Sequence, residues 1–181
     1  MLKKKLVFVL LAIGLASCSD TKTDVQSTHL AANDFESVDG WTENVPVSSL
    51  TKENAHSGQY SVKVSPGLEY SRGYHNTLSK LSSSELKKIK VRAWVNLSFG
   101  ATSTLLVTAI EDPSNPGAKP VLWEGMKLTD EVKTPGKWTE VEKVVTLPEN
   151  VSSSYRFNVY LWSTGAKETV FLDDLTIDKA E

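Results

Sequence analysis

One cysteine stands among 181 residues. A lone thiol cannot close a disulfide within the chain, so an apolar core must hold any domain without covalent help. Histidine is almost as scarce, with His29, His56 and His75 only. No two of them stand at metal-ligand spacing, and neither a His-Glu-x-x-His helix nor a Gly-x-Ser-x-Gly nucleophile turn occurs. Excess charge is missing too: 20 Lys and Arg face 22 Asp and Glu, a net charge of −2. With no basic run in the body of the chain, nucleic acid is not an expected partner. Helical periodicity is confined to one candidate, Ser82 to Lys90 (SSSELKKIK), with serine at the cap and Glu85 following. No repeat, coiled coil or low-complexity block is present.

What is there is a globular composition, 40% apolar and 23% charged, in a chain long enough for one domain of ordinary size. Its organising stretch is the end, Ser153 to Lys179. Tyr155 to Ser163 (YRFNVYLWS) alternates. Phe157, Val159 and Leu161 point one way, while Arg156, Asn158, Tyr160 and Trp162 point the other. A period of 2 marks a strand with one face in a core. Thr164 to Lys167 reads as a turn, and Thr169 to Asp178 as the second strand of a closing hairpin, with Asp173 and Asp174 inside an otherwise apolar run. Upstream, Asn33 to Glu36 reads as the start of a strand and Gln59 to Ser65 as a strand ended by Pro66-Gly67. Lys90 to Ser98 alternates, placing Val91, Ala93, Val95 and Leu97 against Arg92, Trp94 and Asn96. Thr102 to Glu111 reads as a buried strand, Asp112 to Pro120 as a loop, Pro120 to Leu128 as an edge strand, and Lys137 to Leu147 as a further alternating strand. Seven to nine short strands with turn signals between them predict an all-β chain, an antiparallel β-sandwich of the jelly-roll kind.

The first residues stand apart from this pattern. Lys3, Lys4 and Lys5 precede an apolar run from Leu6 to Ala16. That run is short of the ~20 residues a bilayer span takes, and it has signal-peptide proportions. It ends in Leu15-Ala16-Ser17-Cys18, which resembles the bacterial lipoprotein box. The resemblance implies cleavage before Cys18 and a diacylglycerol on its thiol. Residues 1–17 are then a lipoprotein signal peptide, 18–31 a flexible polar tether, and 32–181 the folded domain, held at the cell envelope, on the outer membrane.

Several blocks recur in a recognisable order: Asn33-Asp34-Phe35-Glu36 with Gly40-Trp41; Ala55 to Val64 (AHSGQYSVKV); Arg92-Ala93-Trp94-Val95; Pro135 to Val141 (PGKWTEV); and Val170 to Ile177 (VFLDDLTI). Together they resemble the carbohydrate-binding modules of the galactose-binding-like superfamily, as in families four, nine and twenty-two. The resemblance implies a structural calcium ion (Ca2+) where the first and last strands meet. Its expected ligands are Glu36 and Asp173 or Asp174, with Asp34 and the turn at Ser57 and Gln59 completing a shell of the oxygens calcium requires. It also implies that Trp41 and Trp138 are packing residues.

Sugars present apolar C–H faces and hydroxyl rims, so they call for aromatic rings beside planar polar groups. Arg92, Trp94 and Asn96 on one strand, with Arg156, Asn158, Tyr160 and Trp162 on another, are the expected ligand-binding residues, predicted to share one concave sheet. Trp123, Tyr70, Tyr74 and His75 are candidates for its rim. Glycoside hydrolysis would need two carboxylates about 5–10 Å apart, and Glu36 and Asp173 suit the metal better. The expectation is a non-catalytic, lipid-anchored protein that captures polysaccharide or oligosaccharide. The alternative is an envelope lipoprotein whose sandwich binds a protein partner, for which a contiguous apolar patch would be the sign.

Overall fold

A computed structural model describes residues 28–41, 48–100 and 102–181. The expected leader, Cys18 and residues 18–27 of the expected tether lie outside the described residues. Among the described residues, ten strands and two four-residue helices follow in the order β1 (His29–Asn33), β2 (Leu50–Thr51), β3 (Ser61–Val64), β4 (Tyr74–Thr77), α1 (Leu78–Leu81), β5 (Lys88–Leu97), β6 (Leu105–Glu111), β7 (Leu122–Lys127), α2 (Leu128–Glu131), β8 (Thr139–Thr146), β9 (Arg156–Trp162) and β10 (Val170–Ala180). They form two antiparallel sheets. The larger runs β2-β3-β10-β5-β8, with β1 also paired to β10; the smaller runs β4-β9-β6-β7. This is the expected β-sandwich.

The core lies between the sheets. Val91, Ala93, Val95 and Leu97 face it from β5, and Phe157, Val159 and Leu161 from β9, all at most 1% exposed. Both alternations follow the sequence pattern. Each fully buried Val, Leu or Phe contributes roughly 1.5–3 kcal/mol of apolar transfer, which is how a chain without cross-links holds together. On one flank Lys143 of β8 lies 2.8 Å from Glu124 of β7, an ion pair joining the two sheets.

The last strand is central. β10 pairs with β5 from Val170↔Leu97 to Ala180↔Lys88, with β3 at its start, and with β1 at its end. Its register slips between Asp173 and Thr176, where Asp174 takes φ 46°. The slip has a reason in the sequence. Leu172 and Leu175 are an odd number of residues apart, so strict alternation would send one of them out of the core. The bulge resets the alternation, and both are at most 1% exposed.

Four local expectations are corrected. β9 and β10 are not a hairpin, because they belong to different sheets and residues 164–169 cross between the layers. Ser82 to Lys90 is not helical. Lys88 to Lys90 are already strand, because Ile89 and Val91 alternate into the core (0% exposed) and that burial outweighs a serine cap. The first strand ends at Asn33 and does not run on to Glu36. Phe35 takes φ 59° and turns its ring into the core, its N–H bonded to Asn33 Oδ1 at 2.6 Å. That strand starts at His29, inside the stretch expected to be tether, where His29 Nδ1 lies 3.0 Å from Asp178 Oδ1.

Candidate functional site

Two sets of polar and aromatic side chains leave the core, and they leave it on opposite sides. Arg92, Trp94 and Asn96 lie on β5 of the larger sheet, whereas Arg156, Asn158, Tyr160 and Trp162 lie on β9 of the smaller. The expected shared concave sheet is therefore not formed. Alternation shows which residues face away from the core and is silent on which sheet carries them.

The β5 set is engaged in structure. Trp94 is covered by His56, the rings stacked at 3.9 Å and 12°, and Trp138 meets the same histidine edge-on at 5.6 Å. Arg92 reaches Asp178 at 2.9 Å and Glu140 at 3.8 Å. Asn96 is 4% exposed. Trp138 packs on His56 outside the core, whereas Trp41 packs against the core as expected, edge-on to Tyr74 at 5.1 Å.

Of the β9 set, Asn158 and Tyr160 line a cleft of about 470 Å³, whose lining also includes Tyr70, Arg72, His75 and Glu111. The register sets its rows. Trp162 lies opposite Leu105, Tyr160 opposite Val107, Asn158 between His75 and Ala109, and Arg156 opposite Glu111. The middle rows are small: Val107 and Ala109 on β6, and Gly125 beyond Val107 on β7. Aromatic rings flank them. Tyr70 stacks near Trp162 at 6.2 Å and 19°, Tyr160 lies 6.1 Å from Tyr70, and Trp123 stands perpendicular to Trp162 at 5.9 Å. Tyr70 is 55% and Trp123 44% exposed, so these two offer the most ring surface to a ligand. In the floor, Asn158 is 4% exposed and its Oδ1 has no hydrogen-bond partner. Such an atom calls for a donor, and a sugar hydroxyl is one. Burial pushes the Tyr160 phenol above its ordinary pKa, so it stays a neutral donor and acceptor at physiological pH.

Two glycines build this face. A Cβ at Gly73 would lie 2.0 Å from the Val159 carbonyl oxygen. Only glycine lets the Tyr70 segment run this close to β9, where Ser71 N–H bonds Leu161 O at 3.0 Å and Leu161 N–H bonds Ser71 Oγ at 2.9 Å. A Cβ at Gly125 would meet the Trp123 ring at 3.0 Å, so that ring lies against bare backbone. Tyr70 and Trp123 were only rim candidates in the sequence. Gly73 and Gly125 are the signal for their placement: one lets the Tyr70 segment approach β9, and the other leaves room for the Trp123 ring.

The expected metal residues meet elsewhere, around the 56–60 turn on the larger sheet. Glu36 Oε1 accepts the Gln59 and Tyr60 N–H groups at 2.6 and 2.7 Å. Asp173 Oδ2 accepts those of His56 and Ser57 at 2.7 and 3.1 Å. Asp174 accepts the Ser57 hydroxyl at 2.8 Å and lies 2.5 Å from His56 Nδ1. Asp34 Oδ1 accepts the Glu36 N–H at 3.2 Å, and the Gln59 side chain faces Lys52. The donor chemistry suits a hard cation. Asp173 is fully buried with no Lys or Arg paired to it, and burial pushes its carboxyl up to about 6. Among the described residues no three His, Cys, Asp or Glu side chains are grouped to hold a metal. A calcium ion here would draw much of its shell from backbone carbonyls, with Glu36, Asp173 and Asp174 the carboxylates at hand.

Comparison with known proteins agrees with the architecture. The family model described as "Carbohydrate binding domain" matches residues 27–167. The first xylan-binding domain of Xyn10C from Paenibacillus barcinonensis is 21% identical, the match covering 86% of this chain and 97% of that one, with a TM-score of 0.52. The C-terminal family 22 carbohydrate-binding module of Xyn10B from Clostridium thermocellum is 16% identical over 84% of this chain and 94% of its own, with a TM-score of 0.55. A family 16 carbohydrate-binding module gives 19%, 78%, 92% and 0.51 in the same order. No curated protein matches the sequence.

Proposed function

Since this chain belongs to the carbohydrate-binding domain family, we propose that it is a non-catalytic glycan-binding protein whose ligand lies on the outer face of the smaller sheet. The observation that carries this reading is Asn158. Its buried, unpartnered Oδ1 sits in the floor of a cleft flanked by exposed rings. Stacking and hydroxyl recognition are thus offered in one place. Polysaccharide is the expected ligand class, and xylan is a natural first probe because related domains bind it. The test is retardation of the protein in native gels containing xylan and other soluble polysaccharides. Retardation by at least one supports the reading; free migration in every gel by folded, calcium-supplied protein overturns it.

The protein-partner reading has less behind it. Of the exposed large apolar residues, Tyr70 lines the cleft, Trp123 stands beside Trp162, and Val121 precedes β7. Phe99 and Val144 lie in the segment after β5 and on β8 of the larger sheet. Val121, Phe99 and Val144, on three separate segments, do not make an apolar docking patch.

Two further parts belong to the proposal. Cys18 carries a lipid that holds the domain at the envelope, so Cys18→Ser is expected to move the protein from the detergent phase to the aqueous phase of a Triton X-114 extract. Calcium binds at the 56–60 turn, where it would neutralise the buried Asp173 and its neighbour. Binding to the folded state alone raises stability by about 2.7 kcal/mol at a hundredfold excess over Kd. A rise in Tm of several degrees with millimolar calcium, reversed by EGTA, is the expected result. An unchanged Tm would mean that the hydrogen-bonded turn needs no ion.

A further inference from the structure

The aromatic cleft does not end at Asn158. One row further along β9 and β6, Arg156 lies opposite Glu111. Beside that pair the loop from Asp112 to Pro120 encloses a second hollow of about 300 Å³, whose lining includes Glu111, Asp112, Asn115, Lys119 and Arg156. Glu111 borders both hollows, so they adjoin. Their chemistry differs. The cleft is flanked by rings, while the second hollow has none and offers carboxylates, an amide and two cations.

The loop is built to keep its shape. Pro113, Pro116 and Pro120 fix three φ angles. Asp112 Oδ1 accepts both the N–H and the hydroxyl of Ser114, at 2.9 and 2.6 Å. Two turns follow, Asn115 N–H to Asp112 O and Ala118 N–H to Asn115 O, each 3.2 Å. Val121 N–H then returns the chain to Ile110 O at 2.8 Å. A wall fixed before binding costs little to order when a ligand arrives. From the Trp162 row to the Arg156 row the face runs six residues along β9, about 20 Å at strand rise, enough for several sugar units in line.

We infer that the second hollow is a further sugar subsite, taking a unit of the same glycan beyond those stacked on the rings and gripping it by its hydroxyl rim alone. This rests on the glycan-binding reading above. It makes chain length the property that the site selects: a short oligosaccharide fills the cleft, and a longer one also reaches Asn115 and Lys119.

The test is titration calorimetry on the full-length chain in detergent, with xylo-, cello-, manno- and laminari-oligosaccharides of three and six units. For whichever ladder binds, the hexasaccharide is expected to bind at least tenfold more tightly than the trisaccharide. Asn115→Ala/Lys119→Ala alters only the loop. It should leave trisaccharide affinity within twofold and bring the hexasaccharide down to the trisaccharide level. Equal affinity for both lengths in the wild type, or an undiminished hexasaccharide advantage in the double variant, overturns the subsite and leaves the cleft standing. No binding by any ladder or by soluble polysaccharide overturns the glycan reading and the subsite with it.

Discussion

Trp162→Ala is expected to abolish measurable retention by a polysaccharide while leaving the fold intact; Trp94→Ala is expected to lower stability while leaving retention unchanged. In the sequence the two tryptophans look alike, each alternating with arginine and asparagine on a strand face. The structure separates them. Trp162 lies in the ring cluster of the smaller sheet, beside Tyr70 at 6.2 Å and Trp123 at 5.9 Å. Removing it takes away a stacking surface and the ring against which its two exposed neighbours are set. Loss of a central aromatic anchor costs about 2–4 kcal/mol of binding, or thirty- to several-hundredfold in affinity. Trp94 lies on the other side of the molecule under His56. Its truncation leaves a void beneath the 56–60 turn and costs about 2–3 kcal/mol of stability, below the roughly 3–5 kcal/mol of a fully buried tryptophan because the ring is only half-buried. Affinity gels and urea unfolding on both variants read the two effects separately. If Trp94→Ala loses binding at unchanged stability, the ligand lies on the larger sheet and the site assignment is wrong.

The second large effect falls on Asp173. Its carboxylate accepts the N–H groups of His56, Ser57 and Asp174, and the residue is fully buried. Asp173→Ala leaves three backbone donors without that acceptor. Each hydrogen bond to a charged group contributes about 1.5–3 kcal/mol. Against this stands relief of the burial that pushes the carboxyl up to about 6. The net expectation is a loss of roughly 2–4 kcal/mol, a large part of the 5–15 kcal/mol that holds a typical domain. Urea unfolding followed by tryptophan fluorescence, in EGTA so that calcium plays no part, gives the number. A change below about 1 kcal/mol would show that the turn is held by Glu36 and the His56–Trp94 stack and not by this aspartate.

How far the sequence reaches can be stated residue by residue. The alternation around Phe157, Val159 and Leu161 and around Val91, Ala93 and Val95 was enough to identify the strands and the faces they bury, because a side-chain period of 2 is a local property. The two adjacent aspartates in an apolar run pointed to something special, and they mark the bulge. What was not legible is which sheet a strand joins. Arg92 and Arg156 stand in equivalent local patterns, and only the crossings between their strands, from β5 to β6, from β7 to β8 and from β8 to β9, send their faces apart. Tyr70 escaped for a related reason. It lies on no regular strand, and its place over β9 depends on the contact that Gly73 permits with Val159, 86 positions away in sequence. The false helix at Ser82 to Lys90 shows local capping losing to burial of Ile89 and Val91 between neighbouring strands.

The position of β10 bears on how the molecule comes to be folded. This strand is the last of the ten described strands, yet it lies inside the larger sheet, with β5 along one side and β3 and β1 along the other. Until residues 170–180 have been synthesised, that sheet is split, and the edges of β5 and β3 that will face β10 have no partner. Every pairing that completes it joins segments far apart along the chain, the arrangement that makes folding slow and leaves unpaired edges exposed in the meantime. The larger sheet can therefore form in parts, β5 with β8 and β2 with β3, but is completed only when its final strand emerges. A chain cut short before Val170 would lack the sheet's centre and not merely its rim.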